Sequence, residues 1–421
     1  MSQSILAVVS RHVEDSADLW NARSMLIGAA HAKLHHIGRF DERIAAHLDG
    51  IGVAGMAGWQ CCEATLANAS AGALFTATVR ALEDADERAI DAMLAIAESA
   101  AGIRKGLLSA FGWVSARQLR GIVRLLLESS SHFRKAIGIA SCVMHRVDPG
   151  RLLDAAISDP EPMLRARALQ AAGDLGRDDL LPLCIAALND PDLQCQFWAA
   201  WSSVILGDRR AGLAKLIEHA HEPARFSRNP LQLALMATDR DTGKALLTQI
   251  AKERGPHRNL IRGVAAAGDP DFVPWLIGLM SDASLARIVG EAFSWITGAD
   301  LAWLDLDRKP PQDIEVHPTD DPDDADVALD EDFGLPWPDT EKVNRWWHGN
   351  ANRFHRGSRY FVGAPPSREH CVQVLREGYQ RQRVAAVCWS ALSGTDRVTF
   401  DCAAPTWRQR RWLDPGHAKR S

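Results

Sequence analysis

Residues 159–189 and 190–220 align with each other without a gap, at an offset of 31 residues. Each copy opens Asp-Pro, runs through a helical pattern, reaches Leu-Gly (Leu175-Gly176 and Leu206-Gly207) and begins a second helical pattern. Self-similarity at a period of 20–50 residues marks a chain of stacked supersecondary units, each contacting only its neighbours. The same punctuation recurs outside the two copies. A residue followed by glycine closes a helical pattern at Phe111-Gly112, Ala267-Gly268 and Thr297-Gly298, and Asp-Pro opens the next at Asp148-Pro149 and Asp269-Pro270. Glycine just past a helix supplies the left-handed cap, and proline in a first turn gives up an N–H that has no partner there. Within the copies Leu164, Ala168, Ala171, Ala172 and Leu175 fall on one helical face. The expected fold is therefore all-α: an α-solenoid of helix pairs with a smaller, mostly helical C-terminal region.

Stacking of this kind lets a chain of 421 residues avoid the size limit of a single core. Tyrosine is nearly absent (Tyr360 and Tyr379), and alanine and leucine dominate, which favours helices over sheets. Purely apolar runs stay far short of the ~18 residues that span a bilayer. The first ten residues lack the basic start of a secretory signal, so a cytoplasmic protein with no membrane partner is expected. The eight cysteines form no CxxC and read as reduced, buried small hydrophobes.

Charge divides the chain. Residues 1–299 are near neutral, residues 300–341 carry a net charge of −13 and residues 342–421 a net charge of +10. The expected organisation is an N-terminal helical cap (1–70), the repeat solenoid (71–304), an acidic, proline-containing linker or loop (305–340) and a basic, tryptophan-containing C-terminal region (341–421). The acidic stretch is too polar to order itself and reads as mobile; pairing of belt with tail is one way its charge could be used. In the cap, one helix is expected over 15–37 and a second from Asp41 to a stop at Gly50. Gly52, Gly55 and Gly58 form a ridge of small residues that lets a neighbour approach. A single long helix is expected from Glu369 to Leu392.

The segment Arg165-Ala-Arg-Ala-Leu-Gln-Ala-Ala-Gly-Asp-Leu-Gly176 resembles HEAT-like repeats of the phycobilisome-lyase type. A second resemblance spans nearly the whole chain. It rests on Asp41–Gly50 with Ala54–Trp59, on Ser294–Gly298, Pro336–Asp339 and Arg376–Arg383, and on Ala404–Leu413. These elements resemble a proteobacterial family with central HEAT-like repeats that is often encoded beside type VI secretion genes. The resemblance implies a role with that machinery and supplies no catalytic residues.

Candidate chemistry is sparse. His31 and His35 are spaced to share a metal on one helix face, but the stretch reads His-Ala-Lys-Leu-His and lacks the glutamate of a zinc-protease motif. A His-Glu dipeptide occurs once in the repeats, at His221-Glu222, too few for a di-iron site. No catalytic residue and no cofactor are expected. Stacked helix pairs leave an extended groove, and the residues expected to hold a partner there are Arg165, Arg167, Trp198 and Trp201, with Arg408, Arg410 and Arg411 in the tail. Trp198 and Trp201, three apart on one helix, suit the core as well as an interface. The reading that follows is a non-enzymatic scaffold or adaptor that binds another protein, such as a type VI secretion component or effector. An enzyme on the same scaffold is one alternative. A nucleic-acid binder using the basic, tryptophan-containing tail is another, disfavoured because the repeat region is not basic and an acidic belt precedes the tail.

Overall fold

The computed structural model describes residues 5–222, 225–255, 257–311, 330–394 and 398–414. It is an all-α fold: among the described residues the strands are a two-residue antiparallel pair, β1 (Asp307–Arg308) and β2 (Trp337–Pro338). The chain forms two compact units. Unit 1 comprises Met1–Gly28, Ala32–Ser202 and Arg397–Ser421; unit 2 comprises Ala29–His31 and Ser203–Asp396. These limits cut across the sequence-based division: the repeats fall into both units, and the end of the basic region belongs with the first repeats.

Unit 1 begins with α1 (Leu6–Leu26), α2 (Leu34–Val53) and α3 (Met56–Thr65), followed by α4 (Ala71–Glu83), α5 (Glu87–Ser99) and α6 (Arg104–Trp113). The expected helix over 15–37 is two helices, and α2 runs through Gly50. α1 ends at Leu26, and α2 starts afresh at its N-cap Lys33, whose backbone N–H donates to the His36 ring at 3.1 Å. The chain turns at Gly55, with φ of +56°, and Gly58 then lets α3 lie on α2, because a Cβ there would sit 2.2 Å from the Ile51 carbonyl oxygen.

The repeats continue with α7 (Ile122–Leu127), α8 (His132–Met144), α9 (Arg151–Ala156), α10 (Pro162–Asp174), α11 (Leu181–Ala186) and α12 (Leu193–Ile205). Helices α10 and α12 are each 13 residues long and begin 31 residues apart, as the repeat requires. The helices α4, α6, α8 and α10 pack in succession, and α5, α7 and α9 pack on them from the other side. Alanine and glycine permit the close approach: a Cβ on Gly106 would stand 2.0 Å from the Ala71 carbonyl oxygen. Ser202 of α12 reaches α10 through its hydroxyl, which donates to the Leu169 carbonyl at 2.7 Å. Gly176, Gly207, Gly268 and Gly298 hold the expected left-handed backbone. Gly112 does not, since it lies inside α6, under Met144.

The Asp-Pro signals work differently from a simple helix start. Asp148, Asp159, Asp190 and Asp269 each accept the backbone N–H two residues ahead, which makes a tight Asx turn before the helix. Each carboxylate also holds a basic side chain from another helix or turn: Arg177 on Asp148, His132 on Asp159, Arg165 on Asp190 and Arg240 on Asp269. One aspartate therefore both shapes the turn and staples neighbouring segments.

Unit 2 contains α13 (Ala211–His219), α14 (Pro230–Ala237), α15 (Arg240–Arg254), α16 (Arg258–Ala267), α17 (Val273–Leu279) and α18 (Ala286–Thr297), then α19 (Thr340–Asn350), α20 (Arg368–Glu377) and α21 (Gln380–Leu392). Helices α14, α16 and α18 form the ladder, with α13, α15 and α17 packed against it. The single helix expected over 369–392 breaks at Gly378-Tyr379, where the Gln382 side chain accepts the Tyr379 N–H at 3.0 Å. Arg383, with no exposed surface, closes the preceding helix by donating to the Leu375 carbonyl at 2.7 Å.

Most of the acidic belt, 312–329, lies outside the described residues, and with it the expectation of a mobile loop. Its described end is held in place. Asp330 pairs with Arg287, Glu331 with Arg258 and Arg262, and Asp332, buried, with Arg258. These partners are repeat arginines of unit 2. The basic region adds Arg381, which donates to the Glu331 carbonyl at 2.6 Å, and, at the other described end of the belt, Lys342, which pairs with Asp305 at 3.2 Å.

Candidate partner-binding groove

The first halves of α6, α8, α10 and α12 line a groove of about 610 Å³ in unit 1. Arg104 and Leu108 come from α6, and Phe133, Ala136 and Ile137 from α8. Pro162, Met163, Ala166, Arg167 and Gln170 come from α10, preceded by Glu161; Asp192, Gln194 and Trp198 complete it at α12. The lining repeats because equivalent helices repeat. Positions on one face of each inner helix that do not pack on the next helix point outward together.

Polar groups in the groove are held. Arg104 donates to the Ala97 and Glu98 carbonyls at 2.9 and 2.8 Å, and its guanidinium lies over the Phe133 ring. Arg167 donates to Gln170 at 2.9 Å, and Gln170 donates to Asp174 at 3.2 Å. The Asp174 carbonyl in turn accepts the Thr399 N–H at 2.9 Å, so the groove wall is tied to the C-terminal segment. Met163 is 36% exposed and Trp198 8%. Cys195 of α12 is buried beneath this wall, where its thiol donates to the Pro162 carbonyl at 3.3 Å and burial pushes its pKa up to about 12.

The sequence-selected residues separate. Arg167 and Trp198 line the groove. Trp201 is buried behind it, in ring contact with Phe197 and Trp198. Arg165 is committed to structure: it grips Asp190 with both Nε and Nη2, at 2.6 and 2.7 Å, and also donates to the Asp159 and Pro160 carbonyls. Arg165 and Arg167, two apart, lie on opposite sides of α10; helical spacing separates them but does not say which side faces the groove. Leu108, Phe133, Ile137 and Met163 lie in the groove and went unselected by sequence. Their signal is that the 31-residue register places Met163 and Gln194 at equivalent positions on neighbouring helices.

The tail arginines also divide. Arg408 donates to the Gly112, Trp113 and Val114 carbonyls at 2.6, 3.4 and 2.8 Å, closing the end of α6, while Arg410 and Arg411 are exposed on α22 (Thr406–Leu413). His31 Nδ1 stands 3.2 Å from the Phe333 carbonyl oxygen, and His35 lies against the His36 ring. Among the described residues no group of three or more His, Cys, Asp and Glu side chains is placed to hold a metal, and no helix is long and apolar enough to cross a membrane.

Residues 150–236 match a family model described as HEAT repeats. The match begins just before α9 and ends in α14, and the same pairing of helices continues on both sides of it. The fold is thus an all-α stack of HEAT-like helix pairs with additional C-terminal helices. No curated protein and no solved structure matches the chain.

Proposed function

We propose that the protein is a non-enzymatic scaffold whose unit 1 groove holds a segment of another protein. The observation that carries this reading is the groove itself: apolar side chains from four successive inner helices, interrupted by a few anchored polar groups, make an extended concave face of the kind that grips a chain by many shallow contacts. HEAT repeats are a helical framework used for protein interaction. The resemblance to a family encoded beside type VI secretion genes suggests the finer assignment, an adaptor or chaperone-like accessory to a secretion component or effector in the cytoplasm.

The test places a charge in the groove without disturbing the core. Met163→Lys, at a third-exposed position, is expected to leave the melting temperature nearly unchanged and to abolish co-purification with the secretion component or effector captured by the wild-type protein. Capture of the same component by both proteins, or of none by the wild type, would refute the groove reading.

A further inference from the structure

We propose that unit 1 carries a second binding surface, for single-stranded nucleic acid, built from Trp407, Arg410 and Arg411 of α22 and from Arg117, Arg120 and Arg124. Helix α22 buries Thr406, Gln409 and Leu413. Away from that face stand Trp407, 38% exposed, and Arg411, while exposed Arg410 flanks the packed side with its Nη2 beside Gly38 of α2. The segment after α6 supplies the other three arginines, all exposed, at spacings of three and four. Backbone bonds from Arg120 to Arg117 and from Leu125 to Gly121 hold that segment in helical turns.

The two groups are neighbours. Arg408, on the same turn as Arg411, donates to the Val114 carbonyl three residues before Arg117, and the Trp407 ring meets Trp113 edge-on at 4.8 Å. None of these five exposed arginines makes an ion pair among the described residues. The concentration is local: residues 101–150 carry eight basic and two acidic side chains in a chain whose net charge is −5. Glu128 and Asp414 are the exposed carboxylates that follow each group. The near-neutral balance of the repeats is an average that hides this stretch, and the described end of the acidic belt is occupied by Arg258, Arg262 and Arg287.

The chemistry selects the partner. The cations are all arginine, whose fork matches phosphate oxygens in pairs, and an exposed indole among them offers a base something to stack on. An acidic protein segment would use the arginines and leave the indole idle.

The experiment is fluorescence anisotropy of the full chain with a fluorescein-labelled oligonucleotide of about 20 thymidines at about 50 mM salt, repeated up a salt series. Binding is expected to weaken with salt. Arg410→Glu/Arg411→Glu should lower affinity at least tenfold and flatten the logarithmic salt slope by about 1.4. Arg117→Glu/Arg120→Glu/Arg124→Glu should do at least as much, and Trp407→Ala should cost about tenfold. The triple variant lies outside α22, so it decides the matter if a tail variant melts early. Absence of binding by the wild type, or binding untouched by the triple variant, overturns the proposal. So does a glutamate peptide of similar length that competes equally while Trp407→Ala has no effect, which would assign the surface to an acidic protein instead.

Discussion

Each unit closes the C-terminal ends of its inner helices with a strap of chain, three in unit 2 and two in unit 1, and the two straps differ in origin. In unit 2 the strap is residues 359–363. The Arg359 guanidinium donates to the Leu235, Met236 and Thr238 carbonyls at the end of α14. The Tyr360 N–H donates to Gly268 past α16, and Val362 and Gly363 donate to Trp295 and Ile296 of α18. In unit 1 the strap is residues 399–408. Arg408 closes α6, Thr399 closes α10 at Asp174, and Arg146, at the end of α8, donates to the Thr399 carbonyl and stacks on Trp412. Both solve one problem: the last carbonyls of a helix have no partner within it, and they favour donors and positive charge. Burial lowers the pKa of Arg359 and of Arg408 from the ordinary arginine value, the cost of placing a guanidinium where carbonyls need it.

The difference is distance along the chain. Unit 2 recruits its strap from the sequence shortly after its own helices. Unit 1 waits for the C-terminus, and then locks it with a buried network: Asp41, with no exposed surface, accepts from Arg23 and from the Thr406 N–H at 2.7 Å, and Arg23 also donates to the Ala403 carbonyl at 3.0 Å. A basic tail that reads in sequence as free for a partner is in large part a structural closure.

Removing everything from Arg397 onward tests that contrast most severely. Hydrogen exchange should show α6, α8 and α10 losing most of their protection while α14, α16 and α18 keep theirs; equal loss in both units would show that the straps are not independent. Asp41→Ala comes next. It leaves the Arg23 charge buried without its carboxylate, and denaturant unfolding should register a loss of about 3–5 kcal/mol. The paired variants Arg408→Ala and Arg359→Ala should each cost about 2–3 kcal/mol, with exchange rising at the end of α6 in the first and at the end of α14 in the second.

The smallest effect concerns the staples within the repeats. Asp190, 9% exposed in its side chain, is held below the usual carboxylate range by the hydrogen bonds from Arg165. Its folded pKa is depressed, so the stability it contributes is complete above the unfolded value of about 3.9 and is lost as pH falls below that. Asp190→Asn, which keeps the Asx turn, should cost about 1–2 kcal/mol at neutral pH. The difference from wild type should shrink as pH drops from about 5 to about 2 in urea titrations; a constant difference would show that the pair is not the source.

Much of the repeat was legible. The 31-residue offset predicted equal helices at α10 and α12, and positive-φ glycines stand at four of the five expected places. Helix breaks were less so: 15–37 and 369–392 each look periodic throughout, yet α1 ends at Leu26 and α20 at Glu377, and the restarts at Lys33 and Tyr379 each use a single side chain, His36 and Gln382, turning back to a backbone N–H. Of the residues selected for the groove, Arg167 and Trp198 line it and Arg165 grips Asp190 instead; composition gives the same signal for a side chain that faces a groove and one that reaches a neighbouring turn.

Local order, then, was written in the sequence: the period of apolar residues, the small residues that permit stacking and the Asp-Pro and glycine punctuation depend on neighbours a few positions apart. Which arginines serve as closures and which stay outside was decided only by the fold. Arg408 finds Gly112, Thr399 finds Asp174 and Thr406 finds Asp41 across hundreds of residues, and no periodicity in the chain records which unpaired carbonyl a distant donor will meet.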